Sequence, residues 1–343
     1  MGARARAAVI GTGSWGTVLA ALLAGNGHRV TLWARTAAEA RDLAARRENR
    51  RLLPGFRLPD GVQVEHDPAR ALAGAALAVF AVPAQRLREN ARALREHLPP
   101  DAVLVSASKG IELGSHRRPT EVLREELGAD RPACALSGPN LAREIAEGLP
   151  ATSVAACQDE AAAEAVRAAF MSPRFRVYTN TDVTGVELAG ALKNVIALGA
   201  GMGDGFGYGD NAKAAFITRG LAEMSRLGVA AGANPLTFAG LAGLGDLAAT
   251  CYSRHSRNRY VGEQLARGRP LDEIAAGMAH VAEGVTTTIG ARELARELGV
   301  EMPITEGMFR VLFEGLDPHR AVEELMGRAP THELRGITEA RGG

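Results

Sequence analysis

Lys193 is the residue whose chemistry most needs an explanation. It lies in the stretch ELAGALKNVIALGAGMGDGFGYGDN at residues 187–211. There Val186, Leu188, Leu192, Val195, Ile196 and Leu198 cover nearly every side of a helix, so the spacing predicts a helix buried all round. An ammonium inside such a helix costs several kcal/mol unless it is paired or changes its proton affinity. It is either an acid/base or substrate-binding group in a cleft, or a structural cation that snorkels or pairs with Glu187. The glycines between 199 and 209 are expected to end the helix and let the backbone approach a ligand closely.

A second constellation is Gly11-Thr12-Gly13-Ser14-Trp15-Gly16, placed between a short apolar strand at residues 5–10 and the helical run TVLAALLAGNG. In that context G-x-G-x-x-G reads as a dinucleotide-binding turn, the alternative being a glycine-rich turn of some other α/β protein. Gly11 permits the tight bend, Gly13 lets a pyrophosphate come near, Gly16 packs helix on strand, and the phosphates sit at the helix N-terminus. The next strand, residues 28–34, would end in an acid if the cofactor were strictly NAD(H). It reads Trp33-Ala34-Arg35 instead, with no acid before Glu39. Arg35 can clamp a 2′-phosphate, which favours NADP(H), with NAD(H) as the second choice. The arginines within residues 46–51 read as a solvated helix end, with the adenosine phosphate as their alternative partner.

Further strand patterns recur at residues 77–82, 103–107, 133–136 and 152–156 with helical stretches between most of them, the mark of a doubly wound, mostly parallel sheet. Ligands of such sheets lie beyond the carboxyl ends of the strands. Ser108-Lys109-Gly110 and Ser137-Gly138-Pro139-Asn140 fall at such ends, and Lys109 can reach a phosphate or a carbonyl there. The strand pattern stops near residues 178–183. The expected division is a Rossmann-like α/β domain at 1–180, an all-α domain at 181–335, and a frayed tail at 336–343. The second domain carries a polar, turn-rich stretch with Asp246, Thr250, Ser256, Arg257 and Asn258. Arg257 suits a phosphate clamp or a basic surface turn, and Asp246 is a candidate partner for Lys193 across a cleft. Glu283, in HVAEGV, is one further site candidate.

Composition removes several classes. The 40 basic and 39 acidic residues leave a net charge of +1, so there is no field to attract nucleic acid. The longest apolar run, residues 71–84, is too short for a bilayer span, and no membrane insertion is expected. The first residues run straight into the strand and glycine turn without an apolar signal region, so a cytoplasmic protein is expected. Three widely spaced cysteines and eight scattered histidines give no metal-ligand spacing. A homodimer is the expected assembly.

With these residues in view, the chain resembles the bacterial NAD(P)-dependent glycerol-3-phosphate dehydrogenase family. GTGSWGT, SASKGIE, LSGPN, ELAGALKNVIALGAGMGDGFGYGDNAKAA, GLAGLGDL, SRNR and VAEGV match its pattern in order. The resemblance implies reduction of dihydroxyacetone phosphate to sn-glycerol 3-phosphate for glycerophospholipid synthesis. It makes Lys193 the general acid/base, with Lys109, Asp246, Thr250, Ser256, Arg257 and Asn258 around the substrate and Gly138 and Asn140 near it. It puts Ser14, Trp15, Arg35, Lys109, Ala142, Arg257, Val281 and Glu283 at the cofactor. One departure stands out: the family has Ser or Thr followed by Phe after Gly-Pro, where this chain has Asn140-Leu141. The rival readings are a related dehydrogenase of a small hydroxy acid and a non-catalytic NADP(H)-binding sensor.

Overall fold

The computed structural model describes residues 5–278, 282–330, 332–333 and 335–337. The chain divides into two compact units: Met1–Lys109 with Arg117–Val183, and Gly110–His116 with Thr184–Gly343. Val281 and residues 338–343 of the expected tail lie outside the described residues.

The first unit is built on one sheet of β1 (Arg6–Ile10), β2 (Arg29–Trp33), β3 (Val62–Glu65), β4 (Leu77–Phe80), β5 (Val103–Ser106), β6 (Ala133–Ser137), β7 (Ala151–Ala156) and β8 (Phe175–Asn180). Their order is β3-β2-β1-β4-β5-β6-β7-β8. All neighbours pair in parallel except β6 with β7. The order reverses between β1 and β4, which is the topological switch point where such sheets bind ligands. Central strands are buried on both faces: Ala7 and Val9 of β1 enter one core cluster while Ala8 and Ile10 enter the other. That is why they read as continuous apolar runs.

β3 and β8 fall outside the strands expected from sequence, and they are the two edges of the sheet. Exposed Arg176 and Tyr178 of β8 alternate with buried Phe175 and Val177. An edge strand with one open face carries no apolar run to betray it.

The second unit is helical and wraps the helix Val183–Gly205. Leu188, Leu192 and Ile196 enter one core cluster and Val195, Leu198 and Met202 another, so the helix is buried on all sides. Its glycines do not end it: the helix runs through Gly199, Gly201 and Gly203 to Gly205. They let other elements come close. A Cβ on Gly201 would lie 1.9 Å from the carbonyl oxygen of Arg259, and one on Gly262 would lie 1.8 Å from that of Leu198. The helix Arg257–Ala266 therefore meets the central helix backbone to backbone. The run of glycines is a packing surface as well as a loop.

Candidate active site

In the first unit the glycine turn joins β1 to the helix Ser14–Gly25. Gly11 has φ +112°, and a Cβ there would sit 2.6 Å from the Ala81 carbonyl oxygen just past β4. A Cβ on Gly16 would lie 2.0 Å from the Gly11 carbonyl oxygen, whereas Gly13 faces open space. The helix begins at Gly13 without any side-chain cap. Its first N–H groups and dipole thus meet a bare, side-chain-free approach, which fits the phosphates of a dinucleotide.

Two residues brace the turn that sequence reasoning passed over. The buried Asn49 donates from Nδ2 to the Thr12 carbonyl oxygen at 2.6 Å and to Thr17 Oγ1 at 3.3 Å. Thr12 Oγ1 also donates to the Glu39 carboxylate. Asn49 hides among arginines, and only its burial distinguishes it.

Arg35 is exposed immediately beyond β2, at the place expected for a 2′-phosphate clamp. Arg47 is instead occupied structurally: it takes φ +54° and donates to the carbonyls of Leu58, Pro59 and Val62. Ser14 opens the helix. Trp15 turns its ring towards Phe175, with centroids 6.5 Å apart, and its buried Nε1 has no partner among the described residues. Ala142 starts the short helix Ala142–Ala146 and packs against the first core cluster.

Lys109 lies three residues past β5 and donates from Nζ to the Gly138 carbonyl oxygen at 3.0 Å. Gly138 has φ +147°, and a Cβ there would stand 3.0 Å from the Ser153 Cα, so only glycine fits. The Asn140 amide is already spent on β7. It donates to the Thr152 carbonyl oxygen at 2.8 Å and accepts from Ser153 Oγ at 3.1 Å. At this departure from the family pattern the side chain ties the loop after β6 to its neighbouring strand.

In the second unit Lys193 is 7% exposed and Asp246 1%. Lys193 Nζ donates to Asp246 Oδ1 at 2.5 Å and to Thr250 Oγ1 at 2.8 Å. Asp246 and Thr250 are not in a turn-rich loop as expected. They stand one turn apart on the helix Asp246–Tyr252, which places them on one face. A π-helical turn, Leu241–Gly245, leads into that helix. A Cβ on Gly243 would lie 2.0 Å from the Phe238 carbonyl oxygen, so the glycines of GLAGLG permit this tight entry. π turns of this kind recur at functional sites.

Ser256 caps the helix Arg257–Ala266, its hydroxyl accepting from the Arg259 amide at 3.2 Å. Asn258 is buried and engaged at both ends of its amide: Nδ2 donates to Asn194 Oδ1 at 2.8 Å, and Oδ1 accepts from the Gly284 amide at 3.0 Å. It thereby joins three helices, and Asn194, one residue past Lys193, is its partner.

Arg257 is different. Surrounding protein atoms draw its pKa below the ordinary guanidinium value, and Glu283 works in the opposite direction. Its surface is still largely open to solvent, and it makes no hydrogen bond or ion pair among the described residues. Glu283 opens the helix Glu283–Leu298. A guanidinium open to solvent and engaged by no hydrogen bond or ion pair among the described residues is the group in this unit best suited to an incoming anion.

A sheet of the order found here, with an open glycine turn at its switch point, defines a dinucleotide-binding α/β unit, and the helical unit supplies a buried lysine and an arginine with no hydrogen bond or ion pair among the described residues. Comparison with known proteins gives this class a family. Residues 6–163 match the model of the NAD-dependent glycerol-3-phosphate dehydrogenase N-terminus, and residues 182–323 that of its C-terminus. The NAD(P)+ glycerol-3-phosphate dehydrogenase of Chlorobium phaeobacteroides is 51% identical over 95% of this chain and 98% of its own length. The enzyme of that name from Geobacillus thermodenitrificans is 50% identical over 96% of each chain. The crystal structure of glycerol-3-phosphate dehydrogenase from Coxiella burnetii superposes with a TM-score of 0.91 at 37% identity, covering 95% of this chain and 99% of that one. The chain belongs to the NAD-dependent glycerol-3-phosphate dehydrogenase family.

Proposed function

We propose that this chain catalyses the reversible, NAD(P)H-dependent reduction of dihydroxyacetone phosphate to sn-glycerol 3-phosphate. In the cell it would act in the cytoplasm, as a homodimer, to supply glycerophospholipid synthesis. Family membership supports the reaction, and the buried Lys193–Asp246–Thr250 cluster is the observation that carries its chemistry.

The first unit, taken as the dinucleotide domain, would hold the pyrophosphate on the N–H groups after Gly13, with Gly11 and Gly16 keeping the turn compact. Arg35 favours the 2′-phosphorylated form, and NAD(H) is accepted as well. When bound, the reduced nicotinamide supplies the hydride. Negative charge then grows on the carbonyl oxygen at C2 of the substrate. Lys193 stabilises that charge and transfers a proton to the oxygen, which becomes the 2-hydroxyl. Asp246 keeps the ammonium charged and aimed, and Thr250 fixes its second bond. Arg257 anchors the substrate phosphate, whose binding energy orients the carbonyl. Lys109, held by the Gly138 carbonyl, assists. Ser256, Asn258, Gly138 and Asn140 act by holding Arg257, Asn194 and the Lys109 contact in place.

The test is the initial rate of NADPH and NADH oxidation with dihydroxyacetone phosphate, beside unphosphorylated dihydroxyacetone and a panel of small 2-keto acids. Turnover restricted to the phosphate ester, faster with NADPH, is the expected result. Preference for a keto acid would replace the substrate assignment, and bound NADPH without turnover would replace the enzyme with a sensor.

A further inference from the structure

The stretch Gly110–His116 belongs to the helical unit although the chain on either side belongs to the α/β unit. Contacts at both of its ends hold it there. Near its start Ile111 is fully buried, 3.3 Å from where a Cβ on Gly290 would lie, so Gly290 opens a seat for it on the helix Glu283–Leu298. At its end His116 takes φ +56°, a left-handed conformation that a side chain adopts only at a cost. From that backbone the imidazole reaches the same helix. Nε2 lies 2.9 Å from Glu293 Oε2 and Nδ1 lies 2.7 Å from Glu297 Oε1.

A carboxylate can only accept, so engaging both at once requires protons on both ring nitrogens, which is the imidazolium. The charge also offsets the repulsion of two glutamates one turn apart. On that helix Arg292 and Arg296 flank the glutamates and pair with Glu306, and further charges lie on the strap and just beyond it. Glu112 accepts from Ser115 Oγ at 2.5 Å, and its carbonyl accepts from the His116 amide at 3.0 Å. Arg117 and Arg118 follow, paired with Glu125 at 2.9 Å and Glu121 at 2.7 Å. Burial draws the proton affinity of His116 down, but the bonds to Glu293 and Glu297 outweigh it, leaving the pKa above the ordinary 6.5.

We propose that His116, latched as an imidazolium between Glu293 and Glu297, is a positioning residue that pins the Gly110–His116 strap and so sets Lys109, the residue just before it, for substrate and dinucleotide. The proposal rests on the role given to Lys109 above. A neutral ring carries one N–H and can serve one carboxylate only. The latch is therefore complete below pH 6.5 and loosens as pH rises through the raised folded value.

The test compares KM for dihydroxyacetone phosphate across the pH range for the parent, His116→Asn, which tolerates the left-handed backbone, and His116→Arg, a permanent cation. The parent KM is expected to rise roughly two- to fivefold with pH, the scale of a partly exposed charge pair. His116→Asn should stay flat at the parent's alkaline value and His116→Arg flat at its acid value, with kcat little changed. Titration of the substrate phosphate is common to all three and cancels in the comparison. Superimposable profiles would overturn the proposal. Should His116→Asn fail to fold, the Glu293→Gln, Glu297→Gln double variant carries the same expectation with the strap sequence untouched. Amide hydrogen exchange at residues 110–116 of the ligand-free parent separates the two layers. Protection lost with rising pH, beyond the intrinsic rate change, supports the latch even in a parent that does not reduce dihydroxyacetone phosphate. Turnover with pH-independent protection removes the latch and leaves the enzyme.

Discussion

Among the charged residues buried in the helical unit, Lys193 on the central helix and Glu223 on the helix Asp210–Ala230 are buried for different ends. The Glu223 carboxylate accepts from the amides of Ile304 and Thr305 and from Thr305 Oγ1, each at 2.8 Å. It caps, from a neighbouring helix, the N-terminus of Pro303–Phe313, which has no side-chain cap of its own. Those donors are fixed parts of the backbone and of a threonine. Lys193 is held by a carboxylate and a hydroxyl, acceptors that favour the charged ammonium. Burial alone does not mark a catalytic group. The partners decide: one set completes a helix, and the other holds the ammonium to which the proposed mechanism gives the proton transfer.

The comparison breaks most visibly at Lys193. Lys193→Ala should lower kcat by about 10²–10⁴, the range for loss of a positioned acid, while NADPH binding followed by fluorescence stays at the parental value. Parental turnover in this variant would make Lys193 another Glu223. Arg257→Ala comes next: KM for dihydroxyacetone phosphate should rise about 10- to 100-fold, the cost of a lost charged hydrogen bond, and the residual rate with unphosphorylated dihydroxyacetone should not move.

Glu223→Ala should do the reverse, removing about 2–4 kcal/mol of stability in urea titrations by orphaning buried donors, with kcat unchanged in the folded enzyme. Its pH signature has a definite sign. Burial pushes the Glu223 pKa above the ordinary 4.5, against the pull of the Ile304 and Thr305 amides. The folded state therefore holds this proton more tightly, and stability falls as pH rises from 4.5 towards the raised value. Glu223→Gln should lack that limb in a urea-midpoint profile. The smallest effect is expected at Gly262→Ala, where the new methyl meets the Leu198 carbonyl and forces the helices apart, costing about 1–3 kcal/mol. Because Arg257 and Asn258 begin the displaced helix, KM should drift upward with it; a stable variant with unchanged KM would detach helix packing from the site.

How much of this was legible in the sequence follows from which signals are local. The glycine turn, the central strands and the all-round burial of the Lys193 helix each have a short-range pattern, and the structure has them where that pattern lies. The edge strands β3 and β8 were not legible, because a half-exposed strand shares its composition with a loop. The glycines after Gly199 read as a helix stop because glycine's cost in a helix is local, whereas the close approach of Arg259 that repays it is tertiary. Asp246 was nameable as a partner for Lys193. Its place one turn before Thr250 on a helix depended on a π turn that no periodicity announces. Asn49, Asn194 and Glu39 were missed since each acts on backbone or side chains far away in sequence, and Arg47, read with its neighbours as a solvated helix end, is held instead by three carbonyls.

The most direct test of the central claim is the rate of Lys193→Ala with NADPH and dihydroxyacetone phosphate as methylammonium is added. The account predicts a near-silent variant whose rate climbs with the concentration of the protonated amine, as the small cation enters the space beside Asp246 and Thr250 and restores a proton donor. A variant that turns over like the parent without added amine would contradict it.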